Sequence, residues 1–385
     1  MPRAKTAIRC SPGWIFRFSS CTRDGHTRIN QQIGVRVDLF TTQRIPKINK
    51  STLTPIFLLL VLLLSPVPEL CAADLYLGQG LVPVRNYQPI QGLSLQMAGD
   101  SAIPVRKGEV MTRLHVGETS TILQEDSPTG NALLKLNQLR SALEFRYGLL
   151  SGTEVGLELA SLYNHSGGLD GLITATEHLF DRPAPIRERL KRQGFAYMLS
   201  RNGQTLLQGT NGAYGVTDVV LSAKTLLVSE KGYVPAIAVR LMLKAPIGDK
   251  DRTFSNDVFD VGIGLALQKT MFARFVLYQN LNEIFPTGRF LGTGLRAYFT
   301  SITGLEFMAT PKFSITGQFE YYQSPFHNTG LKLLDKAVTE AVLALGYRFT
   351  PHLLWQLYGV ENLDATRDVA ADFTLATALT YRFGL

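Results

Sequence analysis

The last thirteen residues, 373–385, alternate in character, and this alternation constrains the fold more than any other feature of the chain. Successive side chains of a β-strand point to opposite faces, so alternation gives one apolar face and one small or polar face. Such a strand, with aromatic residues near its end, is typical of the closing strand of a transmembrane β-barrel, where the apolar face meets lipid. The apolar parity holds Phe373, Leu375, Leu379, Tyr381, Phe383 and Leu385, interrupted only by Thr377, and the other parity holds Thr374, Ala376, Ala378, Thr380, Arg382 and Gly384.

The same alternation recurs upstream in segments of about ten residues, the length that a tilted membrane strand requires. Tight turn signals, such as Ser151-Gly152 and Asn202-Gly203, alternate with longer polar connections over residues 246–256 and 324–336. Short turns at one rim and long loops at the other are expected of a barrel in a membrane. The clearest alternating segments are residues 139–149, 154–159, 237–244, 260–268, 313–322 and 340–349.

The pattern predicts an all-β fold, a transmembrane antiparallel up-and-down β-barrel of about 12–14 strands over residues 109–385. The higher count takes residues 291–309 as one long strand, and twelve follows if the hairpin at 195–207 lies outside the wall. A soluble secreted β-sandwich also alternates. We disfavour the sandwich because nearly every strand alternates and because the cysteine pairs common in exported sandwiches are missing.

The first 50 residues contain ten Lys or Arg and two acids, a difference of eight that equals the net charge of the whole chain. The basic charge therefore belongs to the N-terminal extension, and we expect no nucleic acid among the partners.

An apolar run over residues 56–64 follows these basic residues and leads to Cys71-Ala72-Ala73. This order predicts a signal peptide cleaved after Ala73, so that residues 1–73 form an extension and signal peptide. A lipoprotein anchored through Cys71 is disfavoured because the acid Glu69 lies close before it. All three cysteines precede the predicted cleavage site, which leaves no disulfide or thiolate site beyond it. The predicted location is the bacterial outer membrane, with membrane lipid, lipopolysaccharide and the barrel-assembly machinery as partners.

Charged residues occupy the polar parity of the predicted strands in equal numbers of the two signs. Because a pore selective for one sign would carry a biased set, we interpret the balance as cross-strand salt bridges that stiffen a narrow lumen. These residues are Arg140, Arg146, Lys224, Arg240, Lys244, Arg296, Arg348 and Arg382, with Glu144, Glu154, Glu158, Asp218, Asp260, Glu306, Glu320 and Glu340.

Residues 74–108 precede the strands and show no regular period. We expect them to form a periplasmic strap or a plug in the lumen, with Arg85 joining the internal charges; an added edge strand is the alternative. The segment contains Pro83, Val84, Arg85, Asn86 and Pro89.

With this Pro-Val-Arg-Asn-x-x-Pro element just after the predicted cleavage site, the chain resembles an uncharacterised proteobacterial family, a domain of unknown function. The loop helix within residues 167–192 and the Asn202-Gly203 hairpin also carry the resemblance, which covers residues 77–385. It implies an outer-membrane barrel and brings no activity and no catalytic residues.

Residues 167–192 predict a helical loop with an apolar stripe, followed by a basic cluster. At an extracellular rim this cluster would contact lipopolysaccharide phosphates, and the alternative is a solvated run of charge. The cluster is Arg187, Arg189, Lys191 and Arg192.

No nucleotide-binding or metalloprotease motif occurs, and the five histidines after residue 73 are scattered, so we predict no cofactor, no metal site and no catalytic residues. The one suggestive pair is His165-Ser166, which would fit an outer-membrane lipid esterase. Neighbours on one strand point to opposite faces, however, and a nucleophile must meet its base.

The sequence therefore predicts a narrow or gated pore that transports a small or hydrophobic solute. The alternatives are a structural or lipopolysaccharide-binding barrel without transport, and the lipid esterase.

Overall fold

The computed structural model describes residues 78–167, 171, 189–190, 194–363 and 369–384. The predicted signal peptide lies outside the described residues, as do nearly all of the predicted loop helix and Arg187, Lys191 and Arg192 of its basic cluster. A 3₁₀ turn (Gln91–Leu93) and a short helix, α1 (Lys332–Asp335), accompany the strands. The strands are β1 (Glu109–Ser127), β2 (Gly130–Leu150), β3 (Thr153–His165), β4 (Ala196–Arg201), β5 (Gln204–Gln208), β6 (Tyr214–Val216), β7 (Val219–Val228), β8 (Ala236–Ala245), β9 (Asp260–Met271), β10 (Phe275–Pro286), β11 (Arg289–Phe290), β12 (Thr293–Gly294), β13 (Tyr298–Met308), β14 (Phe313–Tyr322), β15 (Val338–Arg348), β16 (Leu353–Asn362) and β17 (Phe373–Gly384).

Twelve of the described strands close into an antiparallel barrel. The ring runs β1-β2-β3-β7-β8-β9-β10-β13-β14-β15-β16-β17 and returns to β1 through the pairing of β17 with β1. The predicted barrel is thereby confirmed, at the lower strand count. The β4–β5 hairpin lies outside the ring and pairs with the outer part of β2, from Gly130↔Arg201 to Lys135↔Ala196.

The prediction of one long strand over residues 291–309 is wrong. A small hairpin of β11 and β12 comes first, and the wall strand β13 begins only at Tyr298. Leu291 and Gly292 adopt positive φ angles of 53° and 73°, which turn the chain back on itself. Side-chain parity does not reveal such a turn, because the alternation of residue types continues through it.

The two parities of each strand separate as the sequence predicts. On β15, Leu343 is 65 % exposed on the outer face, whereas the neighbouring Ala344 is 2 % exposed and faces the lumen. On β17, Leu375 and Leu379 are exposed and Ala376 and Ala378 are buried. The outward residues form an apolar belt, which is what lipid contact requires.

The two rims of the barrel differ in the length of their connections. Tight turns at residues 151–152 and 272–274 lie at the rim where β1 begins and β17 ends. The connections over residues 246–259, 287–297 and 323–337 lie at the opposite rim. By the usual asymmetry of such barrels the first rim is the inner one and the second the outer one.

The outer rim is partly covered by a hydrophobic cluster. Tyr197 and Leu199 of the β4–β5 hairpin pack with Phe326, with Leu333 of α1 and with Ile90 of the N-terminal segment. The turn of this hairpin, Asn202-Gly203, has φ angles of 50° and 75°, the left-handed conformation that a two-residue hairpin turn needs.

No helix among the described residues has the length and apolar character needed to cross a membrane.

Candidate functional site

Residues 78–107, here called the luminal segment, run through the interior of the barrel. The structure shows no strand within them, so the alternative of an added edge strand is wrong. The segment runs from the inner rim to the outer rim, turns there, and returns to the inner rim, where the chain enters β1. Polar side chains of the wall hydrogen-bond to its backbone along the whole path, which satisfies backbone groups that burial removes from water.

The ascending half contacts the wall formed by β13–β16. The backbone N–H of Gln79 donates to both carboxylate oxygens of Glu306, at 2.9 and 3.0 Å. The N–H of Val82 donates to Oε1 of Gln318 at 2.7 Å. Val82 and Val84 are fully buried against Tyr358 and other side chains of β15 and β16.

The turn at the outer end is built by the Pro-Val-Arg-Asn-x-x-Pro element and the residues that follow it. Oδ1 of Asn86 accepts the N–H of Gln88 at 2.9 Å, and the hydroxyl of Tyr197 donates to the carbonyl of Pro89 at 3.0 Å. Nε2 of Gln91 donates to the Leu333 carbonyl at 3.0 Å, in the loop that carries α1. The element thus fixes the turn beneath the outer loops, and Pro83, its first residue, lies just before the turn.

The descending half is attached to β8, β9 and β10. The N–H of Leu95 donates to Oδ2 of Asp260 at 2.7 Å. Nη2 of Arg240 donates to the Ala98 carbonyl at 2.7 Å. Asp100 N donates to Oδ1 of Asn280 at 2.7 Å, and Nδ2 of Asn280 donates back to the Asp100 carbonyl at 3.0 Å.

Below these contacts lies a buried group of four charges, here called the Asp100 cluster: Asp100, Arg146, Glu154 and Lys224. Oδ2 of Asp100 is 2.7 Å from Nη1 of Arg146 and 2.9 Å from Nζ of Lys224. Oε1 of Glu154 is 3.1 Å from each of the same two nitrogens. Glu154 also accepts the N–H of Val105 through its other oxygen at 2.5 Å. The two cations and two carboxylates balance, and they hold the segment to β2, β3 and β7. Nε of Arg146 also lies 2.7 Å from Oε1 of Glu144.

Burial by itself raises the pKa of the Asp100 carboxyl, but the neighbouring charges of Arg146 and Lys224 outweigh that effect and hold its pKa well below the usual range. Asp100 is therefore ionised at neutral pH, and both of its ion pairs are present.

A cavity lies between the luminal segment and the wall formed by β1, β2, β3, β7 and β8. Thr217 and Phe254 line it near the outer loops, and Arg146 and Ser222 line it deep in the barrel, beside the Asp100 cluster. Six cationic side chains face it against three carboxylates. The cations are Arg85, Arg113, Arg140, Arg146, Arg240 and Lys244, and the carboxylates are Glu144, Glu158 and Asp218.

Four of these cations have carboxylate partners. Nη1 of Arg113 lies 3.3 Å from Oε2 of Glu144, and Nη2 of Arg140 donates to Oε1 of Glu158. Nζ of Lys244 lies 2.7 Å from Oδ2 of Asp218. Arg146 is paired within the Asp100 cluster.

Arg85 and Arg240 have no carboxylate of the described residues within 4.0 Å. Arg240 donates to Oδ1 of Asn280 at 2.9 Å and to the Ala98 carbonyl. Nη2 of Arg85 donates to the Gly92 carbonyl at 2.9 Å. Burial, together with the positive charge of Arg140, lowers the pKa of Arg85 to about 10, so Arg85 stays charged at neutral pH.

On the opposite wall, Glu306 and Glu320 accept hydrogen bonds from polar groups and form no salt bridge among the described residues. Besides holding the start of the luminal segment, Glu306 accepts the hydroxyl of Tyr278 at 2.7 Å. Glu320 accepts Nε2 of Gln318 at 2.7 Å and the hydroxyl of Tyr322. Glu340 lies opposite Glu320 in the register of β14 and β15. These three acids lie on the wall opposite the cavity and are not part of its lining.

Of the sixteen charged residues predicted to line the lumen, nine form salt bridges among the described residues. They are Arg140, Glu144, Arg146, Glu154, Glu158, Asp218, Lys224, Lys244 and Asp260. The remaining seven have no such salt bridge there: Arg240, Arg296, Glu306, Glu320, Glu340, Arg348 and Arg382. Arg348 donates to the Gly78 carbonyl at 3.2 Å and Arg296 to that of Ser324 at 3.2 Å, whereas Arg382 is exposed at the inner rim.

Sequence reasoning missed Asp100 and Arg113. The alternation of Arg113 with Leu114 on β1 carried the signal for Arg113. Asp100 lies in a segment without a period, so no pattern marked it.

The suggested esterase pair is not assembled. Nε2 of His165 lies 2.9 Å from Oε1 of Glu118, and its Nδ1 lies 3.1 Å from the Gly167 carbonyl. Ser166 instead accepts a hydrogen bond from Asn211 Nδ2 at 3.5 Å. His165 faces outward near the outer rim, where its ring contacts the start of the loop that follows β3.

Among the described residues, no group of three or more His, Cys, Asp or Glu side chains is arranged to hold a metal ion.

A closed ring of twelve strands with an apolar belt outside and charged side chains within defines the class of this protein, an outer-membrane β-barrel. Residues 58–383 match the model of a family described as "Protein of unknown function (DUF3187)", and the chain belongs to this family.

Several solved structures resemble the chain at low identity. An outer-membrane channel from Pseudomonas putida F1 is 11 % identical, with 73 % of this chain and 98 % of that chain covered and a TM-score of 0.48. The NanC porin is 9 % identical over 70 % of this chain and 98 % of its own, with a TM-score of 0.40. The toluene transporter TodX of P. putida is 9 % identical over 73 % and 91 %, with a TM-score of 0.34. A search of curated proteins gives no match.

Proposed function

We propose that this protein is a gated channel for small solutes in the outer membrane. The supporting observation is the arrangement of the lumen, in which the luminal segment fills one side and a charged cavity remains on the other. Solute would enter the cavity near Thr217 and Phe254 and descend toward Ser222. The narrow space that remains beside the segment favours small solutes.

The gate in this proposal is the descending half of the luminal segment. It closes the inner end of the cavity where Asp100 meets Arg146 and Lys224. Removing one partner of a buried ion pair typically costs about 3–5 kcal/mol, so these contacts keep the segment in place. Displacement of the segment from β2, β3 and β7 would connect the cavity to the inner rim.

Single-channel conductance in planar lipid bilayers tests the gate directly. The Asp100→Asn variant keeps the size of the side chain and removes its charge, so we expect a higher open probability than that of the unaltered protein. Asp251→Asn is the matched control, because Asp251 is an exposed loop residue that does not line the cavity. Equal open probability in the two variants would contradict the assignment of the gate to Asp100.

A cysteine pair tests whether the segment must move. Oγ of Ser101 donates to Oε1 of Gln268 at 2.6 Å, which joins the segment to β9. A reversible bifunctional thiol reagent would join Ser101→Cys to Gln268→Cys there, in a chain whose own cysteines all lie within residues 1–73. We expect the cross-linked protein to stay closed and to conduct after the cross-link is reduced, while either single variant conducts under both conditions.

The absence of channel events in every variant, including the reduced pair, would favour the structural or lipopolysaccharide-binding barrel. The proposed lipopolysaccharide contact rests on the basic cluster at residues 187–192, of which the structure describes only Arg189, an exposed residue.

A further inference from the structure

We infer that the cavity binds the carboxylate group of a small organic anion through Arg85 and Arg140, with the apolar part of the anion against Leu162, Val220 and Met242. This inference rests on the proposed channel function and names the class of solute.

The local charge around Arg85 and Arg140 is positive by one unit. Glu158 is the carboxylate whose charge acts on Arg85, and it forms a salt bridge with Arg140. Arg113, the other cation nearby, is already paired with Glu144. A monoanion would therefore balance the site.

Both arginines keep hydrogen-bond donors that no described protein atom accepts. Nε of Arg140 is buried and has no hydrogen-bond partner among the described residues, although Arg140 lines the cavity. Arg85 uses one N–H for the Gly92 carbonyl, and a guanidinium carries five. A carboxylate matches such donors because two of its oxygens accept parallel hydrogen bonds from a planar guanidinium.

An apolar strip lies beside these donors on three neighbouring strands. Leu162 is the register partner of Arg140 on β3, and Val220 is the register partner of Glu158 on β7. Met242 is opposite Ser222 on the next strand, β8. All three apolar side chains are half-buried and line the cavity, so a short hydrocarbon chain would cover surface that otherwise contacts water.

The tight outer turn of the luminal segment fixes the position of Arg85. Its guanidinium is held by the Gly92 carbonyl across the outer turn, and the turn is tight at this point. A Cβ atom on Gly92 would approach the Asn86 carbonyl oxygen to 2.7 Å, so only glycine allows the approach. The Pro-Val-Arg-Asn-x-x-Pro element makes this turn, and in this inference its arginine binds the carboxylate of the solute.

Isothermal titration calorimetry on the full barrel in detergent tests the site with four probes: hexanoate, hexanol, hexylamine and acetate. Hexanol and hexylamine keep the hydrocarbon chain without the negative charge, and acetate keeps the charge without most of the chain. We expect hexanoate to bind at least about tenfold more tightly than each of the others, since a charge-assisted pair contributes enough free energy for such a ratio.

Arg85→Gln should weaken hexanoate binding by about tenfold, because it removes the charge and the planar fork. Arg106→Gln is the matched control: Arg106 lies on the same segment, but its side chain is 84 % exposed outside the cavity. Arg85→Lys keeps the positive charge and loses the planar guanidinium, so its affinity for hexanoate should lie between those of Arg85→Gln and the control. Heat-modifiable migration on gels verifies that each variant is a folded barrel. If Arg85→Gln does not fold, Arg85→Lys is compared with the control in its place.

Three results would each overturn the inference: hexanoate binding no tighter than hexanol binding, acetate binding as tight as hexanoate binding, or hexanoate binding unchanged by Arg85→Gln. Bilayer conductance separates this inference from the channel proposal. A conducting barrel with no hexanoate binding overturns the site alone. A barrel that binds hexanoate through Arg85 but never conducts overturns the channel and leaves the site.

Discussion

At the scale of single residues, the lumen is held together by polar side chains that serve backbone groups of the luminal segment. Glu306 shows this most clearly, because its two oxygens accept the N–H groups of Gln79 and Gly80 and the hydroxyl of Tyr278. The sequence predicts that Glu306 faces inward, since it lies on the polar parity. It does not predict the partner, because no period locates residues 78–80 in the lumen.

Glu306→Gln should loosen the start of the luminal segment. The amide would place an NH₂ group against backbone N–H donors, which leaves buried donors unsatisfied at a cost of about 1–3 kcal/mol. Hydrogen exchange of the Gln79 and Gly80 amides should therefore become faster. Glu283→Gln, at an outward position of β10 on the next strand, is the matched control and should leave these amides unchanged. Unchanged exchange in the Glu306 variant would show that the carboxylate does not hold the segment.

The ion pairs of Asp100 should resist mild acid. Its pKa in the folded state is depressed below that of the unfolded chain, so its contribution is present above about pH 4 and is lost as the pH falls through the folded value. Open probability in bilayers should therefore be constant between pH 7 and pH 5. A sharp opening within that range that disappears in Asp100→Asn would contradict the depressed pKa.

At the scale of elements, alternation predicted the wall strands because inward and outward side chains meet different surroundings. It predicted β17 along its whole length and failed at residues 291–297, where positive φ angles turn the chain without disturbing parity. The β4–β5 hairpin alternates too, yet it lies outside the ring. Its position depends on tertiary contacts such as that between Tyr197 and Pro89, which strand periodicity does not encode.

Tyr197→Ala should detach the β4–β5 hairpin from the outer turn of the luminal segment. Loss of a buried aromatic side chain costs about 3–5 kcal/mol, and the hydrogen bond to Pro89 is lost with it. Limited proteolysis within residues 194–213 should accelerate while the barrel keeps its heat-modifiable gel shift. Tyr214→Ala is the control, because Tyr214 is exposed. Equal cleavage rates in both variants would show that the hairpin does not depend on this contact.

At the scale of the whole molecule, the equal number of positive and negative charges conceals a difference in their contacts. Acids on β13–β15 bind the luminal segment and neighbouring polar groups, whereas arginines on β1, β2 and β8 and in the segment surround the cavity. Counting charges along the sequence therefore predicts a neutral, salt-bridged lumen. Which charges face the cavity depends on where the segment lies, since it covers one wall and leaves the other facing the cavity.

This arrangement also makes the two ends of the cavity unequal, and thiol labelling of intact cells from outside can test that. Thr217→Cys lies at the outer end of the cavity and should react with a membrane-impermeant maleimide, as should Tyr214→Cys in the neighbouring strand β6, where Tyr214 is exposed. Ser101→Cys lies behind the Asp100 cluster and should be protected. Adding Asp100→Asn should expose Ser101→Cys, because the ion pairs that hold the descending half are then removed. Labelling of Ser101→Cys without that second change would mean that the cavity is continuous with the inner rim, and that the luminal segment lines a permanently open path instead of closing it.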